Sequence, residues 1–177
     1  MGMPLRLADY LVSPRRCTVD SPVGPLMVIA DSAGITHILF PTHTLADLGL
    51  VSEDVPEAKD DPVLLNAARQ LAEYFDGDRT AFDLPLHVEG NDFEVDVWFA
   101  MRSIPYGETI SYGKQSDIAG HPGAFQAVGA ANGRNPIPIV VPCHRVVGSD
   151  GSLVGFGGGL DVKRFLLDLE SGVQRLF

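Results

Sequence analysis

This chain has no run of about twenty consecutive apolar residues, so its sequence offers no membrane-spanning helix. Met1 to Tyr10 lack the apolar core of a secretory leader, and no signal peptide is expected. Only 2 of the 177 residues are cysteine. Cys17 and Cys143 are too few and too far apart for a disulfide framework, and they read as reduced thiols of a cytoplasmic protein. Neither CxxC nor HxxxH spacing occurs, so neither a metal centre nor another cofactor is expected. Basic residues are scarce, with 13 Lys and Arg against 23 Asp and Glu and a net charge of −10, which at first argues against a nucleic-acid partner. What is present is 45% hydrophobic and 20% charged residues. That describes a globular protein of one large or two small domains, either able to bury a core.

The acidity is uneven. Residues 1–90 hold 14 acids and 6 Lys/Arg, whereas residues 91–177 hold 9 acids and 7 Lys/Arg. No acid lies between Asp117 and Asp150, a stretch that contains Arg134 and Arg145. A DNA face can sit there, and so can a neutral core segment; charge does not choose between them. Binding at such a face would rest little on phosphate neutralisation and so respond weakly to salt.

Turn chemistry divides the first half into a meander. Cys17 to Ser21 and Leu26 to Ala30 flank the turn Pro22-Val23-Gly24-Pro25, and Asp31 to Gly34 lead into a third strand over Ile35 to Phe40. Residues 41–60 are polar and irregular and read as a mobile loop. Asp61-Pro62 starts a helix that carries Leu64, Ala67, Leu71 and Tyr74 at helical spacing. Leu84 to Leu86 is extended, and Glu89-Gly90-Asn91 reads as a linker. In the second half, Asp92 is expected to cap a helix bearing Phe93, Val97, Trp98 and Met101. Ser111 caps a short helix ending near Gly120, and His121-Pro122-Gly123 turns into a second short helix over Ala124 to Ala131. Helix, glycine-containing turn, helix is the pattern of a helix-turn-helix, though close helix–helix packing produces the same pattern. A last helix is expected over Asp161 to Glu170.

Chemistry concentrates in Pro142-Cys143-His144-Arg145-Val146. A thiol beside an imidazole is the pair from which an activated nucleophile is built, because only the thiolate attacks. The apolar run Ile137 to Val141 reads as a buried strand delivering the pair into a sheltered pocket. Taken alone, a cysteine is more often a small buried hydrophobe. The Gly-rich segment Gly155 to Gly159 lacks the Lys and Ser/Thr placement of a phosphate-binding loop.

Together with Ile104-Pro105-Tyr106-Gly107-Glu108-Thr109, Ser111-Tyr112-Gly113, Ala127-Val128-Gly129, Asn135-Pro136 and Gly155-Phe156-Gly157-Gly158-Gly159, this motif resembles the methylated-DNA–protein-cysteine methyltransferases. The likeness covers nearly the whole chain, with Asp20 to Leu26 resembling the family's first hairpin. It implies an α+β fold. Residues 1–90 would form a ribonuclease-H-like domain with a small antiparallel sheet. Residues 91–177 would form a mainly helical, winged-helix-like domain with a helix-turn-helix. It further implies one-way transfer of an alkyl group from O6-alkylguanine in DNA to Cys143, each molecule reacting once, with O4-alkylthymine a further candidate substrate. By the family pattern His144 is the base for Cys143, acting through a water, and Glu170 orients His144. Tyr112 donates to the base ring, and Asn135 ties the helix-turn-helix to the reactive loop. The backbone of Cys143, Val146 and Gly157 would read the base edge. Phe125, Gln126, Ala127, Arg134 and Phe156 complete the candidate DNA-binding set. The implied partner is double-stranded DNA entered from the minor groove by a monomer, with the damaged nucleotide turned out of the stack.

Four positions depart from the family: Gln126, Phe125 where a small residue is usual, Phe156 and Asp96. Gln126 stands where an intercalating arginine is usual, and it lacks the charge and planar fork of that residue. Beside it, Phe125 either serves as an apolar wedge or faces inward. Phe156 replaces a loop tyrosine, and Asp96 replaces an arginine whose partner would be buried. An alternative reading is therefore a protein that recognises alkylguanine with little or no repair. Another is alkyl transfer from a substrate other than duplex DNA.

Overall fold

The computed structural model describes residues 7–172, which fold as two compact units divided between Val88 and Glu89. In the first unit a short helix, α1 (Leu7–Tyr10), precedes three strands, β1 (Arg15–Val19), β2 (Leu26–Asp31) and β3 (Gly34–Leu39). They form an antiparallel meander in the order β1-β2-β3, with Cys17 opposite Val28 and Val28 opposite Ile38. The central strand β2 is buried on both faces. Helix α2 (Pro62–Phe75) packs against the sheet through a stripe that includes the buried Leu64, Ala67, Leu71 and Tyr74. Its start is as the sequence suggests: Asp61 accepts the backbone N–H groups of Val63 and Leu64, and proline occupies the first turn, where its missing N–H costs nothing.

The other face of β2 explains residues 41–60. Far from a featureless loop, they contain two single turns of 3-10 helix, Leu45–Leu48 and Ser52–Asp54. These drop Leu45, Leu50 and Val55 into a cluster with Leu11, Ile29 and Leu39. Three apolar residues spaced by polar ones at no regular period leave no helical or strand signature, which is why the polar composition misleads. Residues 85–87 run beside β3, with the Ile35 N–H donating to Pro85 O at 2.8 Å and the His87 N–H to Ile35 O at 2.8 Å. His87 Nδ1 also meets the buried Asp31 carboxylate at 2.8 Å.

The second unit is mainly helical. Helix α3 (Asp92–Met101) buries Val97, Trp98, Ala100 and Met101. Its cap is Asn91, one residue earlier than expected. The Asn91 side chain accepts the Glu94 N–H at 2.8 Å, and the Glu94 carboxylate accepts the Asn91 N–H at 3.2 Å, a reciprocal capping box. Helices α4 (Tyr112–Ile118) and α5 (Phe125–Gly133) pack on each other across the turn at His121 to Gly123. Ser111 caps α4 by accepting the Lys114 N–H at 3.1 Å. Two two-residue strands, β4 (Ile110–Ser111) and β5 (Val146–Val147), pair in parallel, and α6 (Leu160–Ser171) closes the unit. This is an α+β fold with a small antiparallel sheet in the first unit and a helical second unit. No helix among the described residues is long and apolar enough to cross a membrane.

Candidate functional site

The segment before Cys143 is no strand. Pro136 and Pro138 each lack an N–H donor, which a central strand cannot spare. Ile137 to Val141 instead form a buried turn in which the Val141 N–H donates to Ile137 O at 2.9 Å. Ile139 adopts φ 73°, a left-handed backbone that a β-branched residue takes only under constraint. Asn135 supplies the constraint from both sides. Its Nδ2 donates to Val141 O at 2.8 Å and its Oδ1 accepts the Ile137 N–H at 3.1 Å. The turn runs into one turn of 3-10 helix over Cys143–Arg145 and then into β5.

Pairing of β4 with β5 sets Ile110 opposite Val146 and Ser111 opposite Val147. It thereby brings the start of α4, and with it Tyr112, beside the cysteine turn. Tyr112 and Cys143 both line a cavity of about 470 Å³, within the range of roughly 300–1,000 Å³ usual for small-molecule sites. Helix α5 forms a second wall with Phe125, Gln126, Gly129, Asn132 and Gly133, and the loop Val154 to Gly157 forms a third. Cys143 is 8% exposed, so its sulfur is sheltered while its residue still borders the cavity. Gly159, with φ 93° and ψ 155°, turns the loop into α6 in a conformation that essentially only glycine adopts.

A buried polar cluster backs the thiol. His144 is fully buried, and its Nε2 meets Glu170 Oε1 at 2.6 Å. Arg145 clamps the same carboxylate with two donors, Nε to Oε2 at 2.8 Å and Nη2 to Oε1 at 2.9 Å, and sends Nη1 to Ile104 O at 2.7 Å. Burial alone would raise the Glu170 carboxyl, but its hydrogen bonds and charges from His144 and Arg145 outweigh that and hold it at about 2. An ionised carboxylate only accepts, so His144 Nε2 carries the proton. In the neutral ring Nδ1 is then the basic atom. Among the described residues that Nδ1 is buried without a hydrogen-bond partner. Burial pulls the imidazole below its ordinary range despite Glu170, so it is neutral at pH 7 and able to take a proton.

The thiol itself is under opposing influences. Burial pushes Cys143 above its ordinary range, and a hydrogen bond from the Asn135 side chain, the charge of Lys163 and local backbone N–H groups pull it back only in part. Tyr112 is also pushed up, by burial first and by Cys143 second, so its hydroxyl keeps its proton. That hydroxyl donates to Val154 O at 2.9 Å.

The sequence-derived candidates thus separate into groups. Cys143, Tyr112, Phe125, Gln126, Phe156 and Gly157 surround the cavity, with His144, Glu170 and Asn135 behind it. Phe125 is 53% exposed and faces outward, not into the core. Ala127 is exposed on the open side of α5, outside the cavity. Arg134 is exposed and paired with Glu94, Nε to Oε1 at 2.6 Å. Val146 is buried below the site. Asp96 needs no buried partner: it is exposed and meets His121 Nε2 at 3.0 Å.

Several residues emerge only in three dimensions. Arg145 fixes Glu170, and Lys163 is 1% exposed. Gln115 and Asn132 exchange hydrogen bonds of 2.8 and 2.7 Å between α4 and α5. Trp98 Nε1 donates to Ala131 O at 2.8 Å, holding α5 to α3. The signal the sequence offers is position, since Lys163 shares the i, i+3, i+7 face of α6 with Leu166 and Glu170.

Comparison with known proteins agrees with this geometry. Residues 15–88 match the family model for the 6-O-methylguanine DNA methyltransferase ribonuclease-like domain, and residues 92–172 match that for its DNA binding domain. The methylated-DNA–protein-cysteine methyltransferase of Methanosarcina acetivorans is 43% identical over 153 residues, covering 85% of this chain and 94% of that protein. That of Mycobacterium bovis is 45% identical over 161 residues, covering 86% and 90%. Among solved structures, Mycobacterium tuberculosis OGT in complex with DNA superposes with a TM-score of 0.79 at 44% identity, covering 90% of this chain and 93% of that one. With both halves matched and relatives aligned along most of its length, the chain belongs to the methylated-DNA–protein-cysteine methyltransferase family.

Proposed function

We propose that this protein repairs DNA directly, by irreversible transfer of the alkyl group of O6-alkylguanine to the sulfur of Cys143. The observation that carries the reading is the alignment of a sheltered cysteine, a neutral histidine with one open nitrogen and an ionised glutamate behind a cavity of nucleobase dimensions. In this reaction the Cys143 thiol loses its proton, through a water, to His144 Nδ1. The thiolate attacks the alkyl carbon, a carbon–sulfur bond forms and the carbon–O6 bond breaks. Both electrons of that bond leave with guanine. Glu170 stabilises the imidazolium that His144 becomes, and Arg145 keeps Glu170 ionised. The thioether has no route back to thiol, so one chain removes one lesion.

Guanine is a poor leaving group as an anion, and a donor to the ring lowers the cost of the developing charge. Tyr112 is the donor at the cavity wall. Tyr112→Phe is expected to slow alkyl transfer roughly a hundredfold while leaving the fold intact, read as a single-turnover rate beside a melting curve.

The exposed face of α5 supports docking on a duplex. Gln126, Ala127 and Ala130 are exposed there, small side chains predominate, and Phe125 projects at the cavity mouth. In this reading a monomer enters the minor groove with α5, Phe125 wedges into the stack and Gln126 hydrogen-bonds the orphaned base. A reducing cytoplasm keeps Cys17 and Cys143 as the free thiols they are.

Intact-mass analysis after incubation with duplex O6-methylguanine DNA tests the proposal. A gain of one methyl per chain, absent in Cys143→Ser, is the expected result. Lesion-selective binding with the thiol unmodified would instead identify a recognition protein. Reaction with free O6-benzylguanine but not with duplex would point to a different substrate.

A further inference from the structure

Lys163 is a buried cation that the reaction above does not use. It lies early in α6, where the helix dipole opposes positive charge. Among the described residues its ammonium has no carboxylate partner. Nζ donates to Val146 O at 2.7 Å and to Val154 O at 3.1 Å, with a longer contact to Gly155 O at 3.5 Å. It also sits 6.0 Å from the centre of the Tyr112 ring. Val146 follows the cysteine turn, and Val154 and Gly155 belong to the loop that walls the cavity. One ammonium therefore staples the wall to the reactive floor. A lysine buried for stability alone is a poor choice, because an apolar side chain of similar size avoids the desolvation cost.

Val154 O accepts from two donors, the Tyr112 hydroxyl at 2.9 Å and Lys163. If the Tyr112 hydroxyl turns to the nucleobase, as the proposed function requires, it must release Val154. Lys163 then remains as the bond that keeps the wall in place. Bonded to Val146 O, three residues past Cys143, and to Val154 O on the cavity that Cys143 also lines, the same charge favours the ionised form of Cys143, and the Cys143 anion favours the charged form of Lys163 in return.

We propose that Lys163 is a positioning residue with two linked tasks: it holds the Val154–Gly155 wall when Tyr112 lets go, and it supplies the positive charge that favours the Cys143 thiolate. The inference rests on the proposed function only for the turning of Tyr112. The charge coupling stands without DNA.

The test uses the full chain and iodoacetamide, with alkylation of the Cys143 peptide followed by mass spectrometry from pH 5 to 10. In Lys163→Met the pH profile is expected to move up by about one unit. The rate at pH 7.5 then falls about tenfold, while the plateau at high pH stays within about threefold of the unmodified chain. Amide exchange at Gly155 and Gly157 is expected to quicken about tenfold in Lys163→Met and to change less than about threefold in Tyr112→Phe. A profile that does not move in a folded Lys163→Met chain overturns the charge coupling, whatever the plateau does. Equal exchange in the two variants overturns the tether. Should Lys163→Met not fold, the unmodified chain decides. Capping Cys143 with methyl methanethiosulfonate removes the anion, and the Lys163 ammonium, followed by NMR, is expected to titrate at lower pH afterwards; an unmoved titration overturns the coupling. None of these readings involves lesion DNA, so failure here is distinct from failure to gain a methyl group from O6-methylguanine duplex.

Discussion

Glu170→Gln is expected to slow methyl transfer to Cys143 by roughly 10²–10⁴-fold, as for the loss of the orienting acid in other nucleophile–base–acid sets. It is also expected to cost about 3–5 kcal/mol of stability in the second unit. Both effects have one source. Glu170 receives two bonds from Arg145 and one from His144, all within 2.6–2.9 Å and out of water. Glutamine keeps the shape but loses the charge. Arg145 is then a buried cation that keeps Ile104 O, the Tyr106 ring and one amide oxygen but has lost its counter-charge, and its desolvation is no longer offset. His144 loses the anion that fixes its tautomer and stabilises its protonated form. Single-turnover kinetics and urea unfolding read the two effects separately. Acid gives the same answer by another route. The Glu170 carboxyl is held at about 2, below its ordinary 4.5. The stability it confers is thus complete above pH 4.5 and is lost as the pH falls towards 2. The glutamine variant is expected to show a flatter acid profile across that interval.

Asn135→Ala is expected to be nearly as damaging to the rate, by about 10–100-fold, and to destabilise by about 2–3 kcal/mol. This side chain makes the bonds that hold Ile139 at its strained φ of 73° and also favours the Cys143 thiolate. Without it the turn relaxes and the thiol is harder to ionise. The two consequences separate with pH. If ionisation dominates, the gap between variant and parent narrows between pH 7.5 and 9.5. If displacement of the sulfur dominates, the gap persists.

How much of this was legible in the sequence depends on how local the physics is. The meander and α2 follow from turn residues and from Asp61-Pro62, whose geometry is set within four residues. Residues 41–60 are less legible because their order comes from Leu45, Leu50 and Val55 meeting Ile29 and Leu39, contacts invisible to any periodicity. The Ile137 to Val141 segment looks like a buried strand by composition, and the two prolines that forbid a central strand are outweighed in such a reading by four apolar neighbours. At the site, the Cys143-His144 dipeptide is adjacent in sequence and so is readable. Its link to Glu170 came from family resemblance alone, since 26 residues separate the bonded pair. Arg145 and Lys163 are not legible as site residues because a charged residue defaults to solvent, and only burial reveals that these two do not.

The central claim is that the sulfur of Cys143 is the final acceptor of the alkyl group. A duplex bearing O6-[13C]methylguanine tests it most directly, because the label reports its own destination. Mixed with excess protein, the 13C signal is expected to move quantitatively to an S-methylcysteine resonance at residue 143, one label per reacted chain, with unmodified guanine left in the duplex. Label that stays on the DNA beside a free Cys143 thiol, or that appears in solvent as methanol, would contradict the account.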